Sequence, residues 1–195
     1  MINRIIKNIF RNPLVYNLCQ WVLEGDYSSV IAKTVKVAEE EKVLDVGCGT
    51  GYFSPLFNCR YVGVDLGKEY INYAKRHENE KRKFYLMDAK NISFPDKSFD
   101  KAILVNFIHH LNDAEVEQIL KEAKRLTRKE IFIFDMDTKR LNFLTPLLLR
   151  LDNGKFVRSL ERQLALVERI LKIDKSFTFK APRNLIIHSA IICQS

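Results

Sequence analysis

At 195 residues, with 47% hydrophobic and 29% charged side chains, the chain is long enough to bury one substantial core and short for a second full domain. No run approaches the ~20 apolar residues of a membrane-spanning helix, and Cys19, Cys48, Cys59 and Cys193 form no CxxC pair, which argues against a zinc site or disulfide framework and fits a reducing cytoplasm. The formal charge of +8 is spread over Lys81-Arg82-Lys83, residues 121–129 and the N-terminus, the distribution of solvated faces rather than of a nucleic-acid footprint.

The chain opens with Ile2, Ile5, Ile6, Ile9 and Phe10 at helical spacing opposite Arg4, Lys7 and Arg11, a pattern too interrupted for a signal peptide. After Pro13 a second apolar helix runs through Tyr16, Trp21 and Leu23. Residues 1–40 therefore read as an N-terminal helical extension docked on the core. The same amphipathicity also suits a peripheral membrane contact or a lid over a bound substrate.

Residues 41–195 read as one domain of short apolar runs alternating with amphipathic segments. Val43-Leu44-Asp45-Val46, Tyr61-Val62-Gly63-Val64-Asp65 and Lys83-Phe84-Tyr85-Leu86-Met87-Asp88 read as strands, followed by Ala102 to Asn106 and Ile131 to Asp135. Residues 68–77 and 113–126 read as helices between them, the latter with Val116, Ile119, Leu120, Ala123 and Leu126 on one face. Alternating strands and helices make βαβ units, hence a doubly wound, mostly parallel sheet. Residues 177–179 and 185–193 around Pro182-Arg183-Asn184 suggest a closing hairpin.

Strand ends are where an open α/β sheet binds ligands. The first carries Asp45-Val46-Gly47-Cys48-Gly49-Thr50-Gly51, where glycines let backbone approach a ligand closely and the amides of a following helix N-terminus would face an anionic group. Asp65 at the second strand end can accept bonds from both hydroxyls of a ribose, and Asp88 at the third is placed for an adenine amino group. One nucleoside accounts for all three. A dinucleotide fingerprint would need a glycine at Tyr52, and a P-loop would need Lys-Ser or Lys-Thr after the glycines, which is absent. At the fourth strand end Asn106 precedes Phe107-Ile108-His109-His110-Leu111. Adjacent histidines point in different directions on a helix and no third ligand stands at a suggestive spacing, so no metal site is read there.

Together with Met87-Asp88-Ala89 and Phe94-Pro95-Asp96-Lys97-Ser98-Phe99-Asp100, these motifs over about residues 40–137 make the chain resemble a class I S-adenosylmethionine-dependent methyltransferase of the small-molecule type, methyltransferase type 11-like. The resemblance implies a Rossmann-like, seven-stranded, mostly parallel sheet with its last strand antiparallel, and S-adenosyl-L-methionine as methyl donor. It implies that Gly47, Cys48, Gly49 and Gly51 wrap the methionine part with Asp45 behind the loop. Asp65, with Leu66 beside it, would hold the ribose, Asp88 and the Ala89 backbone the adenine, and Asn106 would lie near the sulfonium. His109 and His110 would begin the helix after the fourth strand, as candidate bases for an acceptor that must lose a proton.

Two departures from the family pattern stand out. Thr127-Arg128-Lys129-Glu130 replaces the usual Pro-Gly-Gly before the fifth strand, which suggests a shorter or different turn, and the substrate-specific region 137–170 carries no decodable motif. Within it Pro146-Leu147-Leu148-Leu149 could line an apolar pocket, and Asp152-Asn153-Gly154-Lys155-Phe156-Val157-Arg158-Ser159 reads as a turn and helix start of a kind recurring in the family. No Pro-Pro-aromatic follows Asn106, as nucleobase amino methylation would call for, so the expected acceptor is a small molecule or a lipid. The sequence sets no oligomeric state. Two other classes stay open, a noncatalytic cofactor-binding or partner-binding protein of the same fold and a nicotinamide-dependent oxidoreductase.

Overall fold

The computed structural model describes residues 12–24, 26–137, 155–180 and 186–195. Its strands are β1 (Lys42–Val46), β2 (Arg60–Asp65), β3 (Arg82–Leu86), β4 (Phe99–Val105), β5 (Thr127–Asp137), β6 (Lys172–Lys180) and β7 (Ile187–Gln194). They form one seven-stranded sheet in the order β3-β2-β1-β4-β5-β7-β6. β1 to β5 pair in parallel, while β7 runs antiparallel to both β5 and β6. This is the expected doubly wound sheet with a reversed last strand. The central strands are apolar nearly throughout because both of their faces are covered.

Five helices supply the covers: α1 (Pro13–Glu24), α2 (Ser28–Thr34), α3 (Lys68–Ala74), α4 (Asp113–Leu126) and α5 (Leu160–Val167). On one face Val116, Ile119, Leu120, Ala123 and Leu126 of α4 pack with Val167 against Leu44, Leu104, Ile131 and Ile133. On the other, Tyr27, Ile31 and Val35 around α2 join Phe53, Phe57 and Ile71 against Val43, Tyr61, Ile103 and Phe132. Burying such side chains stabilises by roughly 1.5–3 kcal/mol each.

α4 begins with a reciprocal capping box, Asn112 accepting from the Glu115 N–H and Glu115 from the Asn112 N–H, each at 3.0 Å. It ends without any turn: the helix runs to Leu126 and β5 starts at Thr127, so the residues replacing Pro-Gly-Gly join the ladder opposite Phe99 and Lys101. β5 is accordingly much longer than its apolar run.

Two local readings are corrected. After β1 the chain makes one 3-10 turn, Ser54–Leu56, in place of a helix, with Phe53 and Phe57 buried on either side of it. His109 and His110 lie in another such turn, Ile108–His110, because the helix proper starts only at the Asn112 cap. Residues 2–11, the Pro146 to Leu149 run, residues 152–154 and the Pro182 to Asn184 turn lie outside the described residues, as do the side chains of Trp21 and Leu23.

Candidate active site

The C-terminal ends of β1, β2 and β4 converge on the glycine loop. Gly47 (φ +77°) and Gly51 (φ +73°) occupy the left-handed region that strains any side chain. A Cβ on Gly47 would collide with the Phe107 ring, and one on Gly51 would stand 2.7 Å from the Phe84 ring. Ring packing thus demands these glycines independently of any ligand.

Four of the loop amides turn inward, and the helix N-terminus expected to face an anion is not there. Gly47 and Cys48 donate to the Val64 carbonyl at 2.9 and 3.0 Å, and Gly51 donates to the Cys48 carbonyl at 2.9 Å. Gly49 donates to Asp65 Oδ2, also at 2.9 Å. With no helix N-terminus behind it, the loop offers a shaped backbone surface rather than an anion cradle. The same geometry removes the seat a dinucleotide pyrophosphate would use.

α1 lies across this loop, a contact that amphipathicity alone could not place. The Thr50 hydroxyl donates to Asn17 Oδ1 at 2.5 Å. The Tyr16 ring and hydroxyl stand 3.6 Å from where a Gly49 Cβ would be, and Tyr16 packs on Tyr70 with ring centroids 4.8 Å apart.

Asp65 ends β2 and accepts the Gly67 N–H on Oδ1 at 2.6 Å besides that of Gly49 on Oδ2. Burial raises its carboxyl above the ordinary range, against the pull of these N–H groups. Two carboxylate oxygens have room for further donors such as ribose hydroxyls. Leu66 beside it is 64% exposed, an open apolar surface. Asp45 sits beneath the loop, buried, accepting the Tyr61 hydroxyl on Oδ2 while Oδ1 meets no donor. Burial pushes it up to about 7, with the Tyr61 bond opposing and Asp65 adding to the rise. Burial, then Asp45 and Asp65, also raise the Cys48 thiol well above its usual range, so it stands as a neutral wall.

Asp88 closes a turn: its Oδ1 accepts the Lys90 N–H at 2.9 Å and its carbonyl the Asn91 N–H at 3.0 Å. Ala89 packs into the core beside it. The structure therefore gives Asp88 a local task whatever it does for a ligand.

Asn106 is the most unusual residue here. It is 6% exposed, holds φ +51°, and both polar atoms of its amide lack a partner. Its backbone N–H donates to the Phe134 carbonyl at 2.8 Å, anchoring the strained residue beside β5. Strain and an unsatisfied buried amide persist together mainly where function uses them.

The two histidines separate sharply. His109 is buried, with Nδ1 2.7 Å from Asp135 Oδ1, and His110 is exposed with its ring centroid 4.0 Å from that of His109. Asp135 also accepts the N–H groups of Ile108, His109 and Met136. Burial would raise its carboxyl, but His109 and these bonds hold it below the usual range. Arg158, 8% exposed, bonds the carbonyls of Ile108, Phe156 and Leu111 and the carboxylate of Asp113. It staples the histidine turn to the chain entering α5. Gln163 bonds the Met136 carbonyl and accepts from Ser189, closing the network. None of Tyr16, Asn17, Asp135 or Gln163 carries a local signal of such a role. Arg158 does stand in the sequence stretch singled out before α5. Among the described residues no three His, Cys, Asp or Glu side chains gather as a metal site.

A seven-stranded sheet with one reversed strand, a glycine loop after β1 and an acidic end on β2 together define the class I methyltransferase fold. Residues 44–134 match the family model described as a methyltransferase domain. An uncharacterised methyltransferase of Bacillus subtilis is 31% identical over 128 residues, covering 62% of this chain and 49% of that protein. A fatty-acid O-methyltransferase of Mycolicibacterium smegmatis is 35% identical over 96 residues, 46% of this chain and 34% of its own length. A solved SAM-dependent methyltransferase from Archaeoglobus fulgidus superposes with a TM-score of 0.75 at 18% identity, covering 92% of this chain and 99% of that one. Residues 44–134 thus carry a methyltransferase domain, and the chain has the class I methyltransferase fold. It spans about half the length, or less, of the curated relatives it matches.

Proposed function

We propose that this chain transfers a methyl group from S-adenosyl-L-methionine to a small-molecule or lipid-like acceptor by in-line displacement. The observation that carries the reading is Asn106, a buried and unsatisfied amide in a strained backbone at the end of β4, followed by Phe107, whose ring packs on Gly47 of the loop that Asp65 braces. A nucleoside with an amino-acid tail fits this set: hydroxyls for Asp65, and a polar tail for Asn106. Bound S-adenosylmethionine supplies a methyl already made electrophilic by its sulfonium.

The protein's own work is then to hold the acceptor in line and exclude water. Asp65 holds the ribose, with Leu66 covering its open side. Gly47, Cys48, Gly49 and Gly51 line the tail, Asp45 lies behind them, and Asp88 with Ala89 border the base. His110, exposed at the rim, takes a proton from a hydroxyl or amine acceptor. His109, tied to Asp135, fixes the turn that presents it.

An apolar acceptor is favoured by the exposed Leu14 and Leu18, one helical turn apart on α1, and by Phe156, exposed beside the histidine turn through its 2.9 Å bond to the His109 carbonyl. The fatty-acid O-methyltransferase relative supports that choice. The leucine pair also suits peripheral contact with a membrane surface, and among the described residues no helix is long and apolar enough to cross one.

Incubation with methyl-labelled cofactor, followed by separation of lipid, metabolite, protein and RNA fractions, tests the proposal. Label in the lipid or metabolite fraction is expected. Cofactor binding without label in any fraction establishes a noncatalytic binding protein instead.

A further inference from the structure

The loop at Gly47 to Gly51 leaves a chemical need unmet. The cofactor's amino-acid tail ends in a carboxylate, yet four loop amides are spent on Val64, Cys48 and Asp65, and no helix N-terminus follows. The side chains already beneath and beside the loop, Asp45 and Asp65, are themselves acids and offer no positive charge to an anion. Phe107 covers the other side at Gly47. A donor from a segment outside the loop would meet that need.

α1 brings one. Asn17 is anchored through its carbonyl oxygen, which accepts the Thr50 hydroxyl at 2.5 Å. That single bond fixes the amide at the loop and leaves its two N–H donors as the groups available to a ligand. Tyr16, one residue earlier, covers Gly49 and leans on Tyr70, so the helix is seated on both the loop and α3.

We propose that Asn17 binds the carboxylate of the cofactor's amino-acid tail, making α1 part of the cofactor site. The inference rests on the S-adenosylmethionine reading above. It assigns the 13–24 helix a recognition task in place of the helix N-terminus that the glycine loop lacks, and it predicts selectivity for ligands that carry the carboxylate.

The test is calorimetric titration of the full chain with S-adenosylhomocysteine and with its decarboxylated analogue, which keeps the amine and loses the acid. Asn17→Ala is expected to weaken S-adenosylhomocysteine about tenfold or more, as loss of a bond to a charged group does, and to leave the analogue within about twofold. Asn17→Asp keeps the size and can still accept from Thr50, but it sets an anion against an anion. It should weaken S-adenosylhomocysteine further while sparing the analogue, an outcome that mere unseating of α1 does not produce. Equal losses for both ligands, or wild-type affinity in both variants, overturn the proposal while leaving the cofactor reading intact. Failure of the wild-type chain to bind S-adenosylhomocysteine overturns the cofactor reading and this inference together.

Discussion

Asn106 combines a positive φ with a buried amide that has no partner, and each feature costs folding free energy. Asn106→Gly relieves both. Relief of the buried amide and of the positive φ outweighs the freer unfolded chain, so stability is expected to rise by about 1 kcal/mol in urea unfolding, while S-adenosylhomocysteine binding weakens in calorimetry, a trade between fold and ligand. Asp45 yields a pH prediction. Its folded pKa of about 7 lies above the ordinary carboxylate value, so its protonated form stabilises fully below about pH 4 and that contribution is lost as pH rises to about 7. Asp45→Asn, neutral throughout, should flatten the decline of melting temperature between about pH 4 and pH 7 and raise stability at the alkaline end. Asp65 and Asn106 could be picked out in the sequence because each ends a short apolar run, and Asp45 because it interrupts one. The unpartnered state of Asn106 was not, since it depends on what lies across the sheet.

At the scale of elements, α4 shows how far local pattern reaches. Its apolar stripe and its Asn112 cap specify one helix from 113 to 126, and the structure has those bounds. The glycine loop shows where local pattern stops. The same Gly-x-Gly-x-Gly spacing suits outward or inward amides, and only the strand beside it, through the Val64 carbonyl and Asp65, draws them in. The histidine turn is similar: partners from β5 and from the segment before α5, far along the chain, decide that His109 is buried and His110 exposed. Arg158 ties that turn in place. Arg158→Met strips the guanidinium from Asp113 and from three carbonyls, and urea unfolding should register a loss on the order of 2–3 kcal/mol. A loss below about 1 kcal/mol would mark the clamp as incidental.

At the scale of the whole molecule, ligand and fold are linked. If the loop, Asp65 and Asn106 form one site, S-adenosylhomocysteine at a hundred times its Kd should stabilise the chain by about 2.7 kcal/mol in thermal unfolding, and Asp65→Ala should abolish most of that gain. No shift for the wild-type chain would refute the cofactor reading at once. The sequence by itself determined the class of architecture, the strand ends that face the site and the acidic residue on β2. Apolar runs, glycines and caps act through neighbours a few residues away, so they can be read along the chain. Only the tertiary structure decided which way the loop amides point, that α1 lies on Gly49 and Thr50, and that the two histidines part company. Those outcomes depend on burial and on hydrogen bonds between segments distant in sequence, and such partners exist only once the sheet has brought them together.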